Sequence, residues 1–85
     1  MPPVSTFFEE MLKRLEEGAP DGVLGIVRVL CTALGDSGHL LQLEALALLQ
    51  KGMRTEALAT AVKWLEMEPS SHEARKLARM IRDAL

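Results

Sequence analysis

The chain has 85 residues, 48% of them apolar, a formal charge of −2 and a single cysteine. A chain of this size makes one small domain that withdraws only ~60–65% of its unfolded surface from water. The charge gives no electrostatic case for a polyanion partner, and the lone Cys31 excludes an internal disulfide. No apolar run reaches the ~20 residues of a membrane span, and the start MPPVSTFFEE lacks the basic and apolar regions of a secretory leader, so a cytoplasmic protein is expected.

Leu, Ala, Glu, Lys, Arg and Met dominate, and these are strong helix formers, while runs of strand-forming residues are nearly absent. The first expected helix begins at Thr6, which forms a capping box with Glu9 after Pro2 and Pro3. It carries Phe8, Met11, Leu12 and Leu15 on one face and stops at Gly18, with Pro20 preventing continuation. Asp21 is placed to cap the second helix, GVLGIVRVLCTAL, whose only polar stripe is Arg28 and Thr32. A helix that apolar is expected to be buried on most faces. The cluster GDSG offers Asp36 or Ser37 as the next cap, and HLLQLEALALLQK forms a third helix closed by Gly52. The fourth runs from about Thr55 to Glu68 with Leu58, Ala61, Val62 and Leu65 on one face and Ala57 and Trp64 alongside, and Pro69 ends it. Ser70 and Glu73 make a second capping box for the fifth helix. Its core side is Ala74, Leu77, Ala78, Ile81 and Leu85, and its opposite face carries Arg75, Arg79 and Arg82. Short connections force neighbouring helices antiparallel, which gives an all-α domain of about five helices arranged as stacked hairpins.

The stretch LLQKGMRTEALATAVKWLEMEPSSHEARKL resembles a tetratricopeptide repeat, a helical hairpin of roughly 34 residues with small residues at its crossing and a proline after its second helix. Ala45, Leu48, Gly52, Ala57, Leu58, Ala61, Leu65 and Pro69 carry the resemblance, and Ala74 falls where the following repeat places its small residue. The match departs at Glu44–Ala45, which replaces the usual leucine–glycine, and at Ala61 and Trp64, where an aromatic and a small residue are usual in that order. The resemblance divides a single domain, 1–85, into a degenerate helix pair at 6–34, the well-matched repeat at 38–69 and a terminal helix at 70–85. It implies a short right-handed array, and the lengthening of the first connection by Pro20 and Asp21 is part of the degeneracy.

The sequence offers no catalytic constellation. His39 and His72 lie at separate helix starts with no ligand at metal-binding spacing, Cys31 sits in the most apolar helix as a buried structural thiol, and there is no phosphate loop. Neither enzyme activity nor a cofactor or metal is expected. The basic face of the last helix is flanked by Glu73 and Asp83 in an acidic chain, so DNA binding is the least favoured class. About three stacked hairpins normally make such an array self-sufficient. Leftover apolar area therefore points to a protein partner, a partner helix or peptide, or a second copy of the chain. The resemblance implies a ligand face lined by the first helix of each hairpin. Leu41, Gln42, Glu44 and Leu48 would line it, with Arg75, Arg79 and Arg82 as candidate clamps for an acidic group. Phe7, Phe8 and Met11 form either core or an oligomer surface. The expected function is a protein-interaction module. A small chaperone of the type III secretion needle kind, similar in size and composition, and a homo-oligomeric scaffold are its specific alternatives.

Overall fold

Helix signals in the sequence translate into five helices in the computed structural model, which describes residues 4–84. They are α1 (Val4–Glu16), α2 (Pro20–Leu34), α3 (Gly38–Gln50), α4 (Arg54–Met67) and α5 (His72–Ala84), with no strand among the described residues. Pro2, Pro3 and Leu85 lie outside the described residues. The first helices of successive pairs begin at residues 4, 38 and 72 and end at 16, 50 and 84, a recurrence of 34 positions.

The same device ends α1 and α3. Gly18 and Gly52 take the left-handed conformation at φ 81° and 78°. Around Gly18 the next two N–H groups reach back, Gly18 to the Leu15 carbonyl and Ala19 to that of Arg14, each at 3.0 Å. Around Gly52 the pattern repeats, with Gly52 to Leu49 at 3.0 Å and Met53 to Leu48 at 2.9 Å. Carbonyls that a helix end would otherwise leave without partners are thereby satisfied. Residues 17–19 and 51–53 are the two connections, equal in length. The expected lengthening by Pro20 and Asp21 does not occur, because proline at the first helical position needs no N–H partner and Asp21 lies already in the first turn of α2.

The caps also differ from expectation. Thr6 lies inside α1, which starts at Val4, so it does not cap that helix. Asp21 instead pairs with Lys51, and the Gln50 amide donates to the Leu15 carbonyl, which ties the two glycine turns side by side. Ser37, not Asp36, caps α3, its hydroxyl accepting from the Leu40 N–H at 3.3 Å. Ser71, not Ser70, does the same for α5, accepting from the Ala74 N–H at 3.2 Å.

The core runs along α3, which packs on α1, α2 and α4, while α4 in turn carries α5. Leu41, Leu43 and Leu48 of α3 are fully enclosed, as are Ala45 and Ala47. In α4 the buried line is Ala57, Ala61 and Trp64; Leu58 and Leu65 flank it and Val62 turns outward. The expected face was rotated because three leucine- or valine-sized residues cannot sit at the closest approach of two helices, whereas alanines can. One repeat length earlier, Val23 and Val27 hold the equivalent buried places on α2. The α1–α2 pair shares a slighter interface than α3 and α4. The radius of gyration is 12.1 Å, close to the ~12 Å of a compact domain of this length, so the five helices close into one body. No helix among the described residues is long and apolar enough to cross a membrane.

Candidate functional site

The bounds of α1, α3 and α5 recur every 34 residues, so side chains 34 apart stand at the same position of their helices. Phe8, Gln42 and Lys76 stand at one such position of α1, α3 and α5. Phe8 and Gln42 line a cleft of about 290 Å³ with His39, Trp64, Glu68 and Glu73. Gln42 and Glu73 then pass directly into a second cleft of about 250 Å³, bounded by Lys76, Leu77 and Met80. Lys76 in turn rims a third, of about 260 Å³, with His72, Arg75 and Arg79. Shared walls make the first two hollows one groove, lined from α1, α3, α4 and α5, while the third lies on the exposed side of α5 alone.

Its chemistry changes along its length. At one end the Phe8 and His39 rings meet edge to face, 5.2 Å apart at 82°. Beside them Trp64, at 4% exposure, donates its indole N–H to Glu68 at 3.1 Å. At the α5 end Met80 is half exposed, an adaptable apolar contact. On the exposed side of α5 the Arg75 guanidinium donates to the Pro69 carbonyl at 3.2 Å, and Arg79 is exposed as well.

Of the residues expected to bind a partner, the structure brings Gln42 to this groove, while Arg75 and Arg79 stand on the exposed side of α5. Leu41 and Leu48 are each 1% exposed and belong to the core, because a central helix clad on three sides has few positions left for solvent. Glu44 faces α2, where its carboxylate lies 3.8 Å from Arg28. Arg82 lies beyond the groove, next to Asp83 at 3.9 Å. For Phe7, Phe8 and Met11 the core alternative describes the packing. Met11 is buried, and Phe7 and Phe8 pack partly buried against the core.

Sequence reasoning missed two features. One is the groove position shared by Phe8, Gln42 and Lys76, which becomes visible when the chain is written in lines of 34. The other is on α2, expected to be buried on most faces: Val29 and Leu34 are 67% and 78% exposed. The α2 helix lies at a flank, packed on α1 and α3 only, so its outer side has nothing to cover it. Near its end Cys31 is half-buried rather than enclosed. Burial pushes its thiol pKa up, and the carboxylates of Asp36 and Glu44 add to that. Asp36 itself is held below the usual carboxylate range by the hydrogen bond from Lys63, 2.7 Å away. Among the described residues no group of three or more His, Cys, Asp or Glu side chains is placed to hold a metal ion.

No protein-family model, curated protein or solved structure matches this chain at a significant level.

Proposed function

We propose that the chain is a tetratricopeptide-like interaction module without catalytic activity, holding a peptide or helical segment of a partner protein along the groove of α1, α3 and α5. The observation that carries this reading is the equivalent placement of Phe8, Gln42 and Lys76 on one continuous groove. The recurrence of 34 positions and the paired glycine stops support the repeat assignment. Arrays of that kind hold ligands on the face lined by their first helices, and the groove here lies on that face. Arg75, Lys76 and Arg79 suit an acidic segment on the exposed side of α5, through charge-assisted hydrogen bonds.

A second reading rests on a different observation. The exposed Val29 lines a shallow, largely apolar hollow with Arg28, Thr32 and Ala33, and Leu34 is exposed at the end of the same helix, which suits a scaffold that pairs with a second copy. Chaperoning of a secretion subunit is the specific form of the first reading in which the groove covers an aggregation-prone helix of the cargo.

One experiment separates them. Partner capture is compared for the native chain, for Gln42→Arg with Lys76→Glu in the groove, and for Val29→Asp with Leu34→Asp on α2. Under the groove reading the first pair of substitutions abolishes capture and the second leaves it intact. The reverse pattern, with a change in molar mass by light scattering, would favour the scaffold.

A further inference from the structure

The cleft at the Phe8 end of the groove is acidic, and its walls are constrained. Glu68 leaves the end of α4 and Glu73 the first turn of α5, and both line the 290 Å³ cleft. Among the described residues neither carboxylate is in an ion pair, and no lysine or arginine lines the cleft. The Glu68 carboxylate is fixed in position by the Trp64 indole. Gly38 makes room for it: a Cβ at residue 38 would lie 2.0 Å from Glu68 Oε1 and 2.7 Å from Trp64 Nε1. The position needs no left-handed conformation, so the glycine there serves close approach. Opposite stand the Phe8 and His39 rings.

We infer that this cleft is a seat for an arginine side chain of the bound partner segment. The inference rests on the groove reading and deepens it. Two carboxylates without a cation, beside an aromatic wall, favour a positive ligand group. Among cations, the guanidinium suits the cleft better than ammonium. It is planar and weakly hydrated, it stacks on aromatic faces, and it offers paired N–H donors to carboxylates.

The test uses the whole chain and small probes. Trp64 is the only tryptophan, so its indole resonance in nitrogen–proton spectra reports on this cleft alone. N-acetyl-argininamide is expected to shift that resonance saturably, with half-saturation on the order of 1–10 mM, the affinity of a single charged contact group. N-acetyl-citrullinamide, of the same shape but neutral, is expected to leave it in place. Glu68→Gln with Glu73→Gln keeps the side-chain shapes and an acceptor for the indole, and should weaken the arginine probe at least about tenfold. Gly38→Ala removes no charge but displaces the Glu68 carboxylate, and should weaken the probe as well. An equal response to citrullinamide, or unchanged binding in the double variant, would overturn the seat. So would unchanged binding in Gly38→Ala, since it would reduce the effect to diffuse attraction between opposite charges. These outcomes are independent of the groove reading, which stands or falls on partner capture by Gln42→Arg with Lys76→Glu.

Discussion

Cys31 illustrates how far a single residue can be read from its neighbours in sequence. An apolar helix around it suggests burial, but whether that side of the helix is covered depends on packing several helices away. The structure leaves it half-buried between Asp36 and Lys63. Asp36→Asn removes a negative charge that raises the thiol pKa, so alkylation of Cys31 at neutral pH should speed up. Lys63→Met removes a positive charge that lowers it and should slow the reaction. Alkylation rates measured against pH would check both signs. The Asp36–Lys63 pair also has a defined pH window. Asp36 is depressed in the fold, so its contribution is present above the unfolded carboxylate pKa and is lost as pH falls through the folded value. Lys63 is raised, so its contribution is present below the unfolded lysine pKa and is lost as pH rises through the folded one. Alanines were more legible than the cysteine. Ala45 and Ala57 were marked by the repeat resemblance as the crossing of a hairpin, and both are fully buried. Ala57→Leu should therefore overpack α3 against α4 and cost ~1–3 kcal/mol in urea unfolding.

At the level of elements, punctuation was clearer than capping. Glycine stops at 18 and 52 could be located because few other residues tolerate a left-handed backbone. Starts were shifted by one to three residues, since Thr6, Asp21 and Ser70 each lie near a competing start and local chemistry alone does not choose between them. The outcome is measurable for α5. Ser71→Ala should lower stability by ~1 kcal/mol, whereas Ser70→Ala should stay within ~0.5 kcal/mol. Gly52→Ala meets no neighbour within 4 Å, so its cost is purely conformational, ~1 kcal/mol, and should appear as a lower midpoint in thermal unfolding. The rotation of α4 was not legible. Leu58 and Val62 fit a helical stripe as well as Ala57 and Ala61 do, and only the tight approach of α3 decides between the two.

Over the whole molecule, the helical class and the order of helices followed from the sequence, while the groove did not. Its lining is drawn from four helices, three of them separated by whole repeats, and neighbouring residues carry no trace of that alignment. Leu41 and Leu48 went to the core because α3 is enclosed by three other helices. The same arrangement sets an order of opening. Backbone hydrogen exchange should be slowest in α3 and faster in α5, which rests mainly on α4. Loss of protection in α3 before α5 would contradict that packing hierarchy.

The two flanks of the molecule are unlike. The outer side of α5 is dense in charge, with Arg75, Arg79, Arg82 and Asp83 all exposed, while α2 presents Val29 and Leu34. Endless growth requires one surface to fit a different surface on the next copy, and a charged flank does not fit an apolar one. Under the scaffold reading the α2 flank would meet its own copy about a twofold axis and use up the surface that drives the pairing, so the molar mass would level off at two copies however high the concentration is raised.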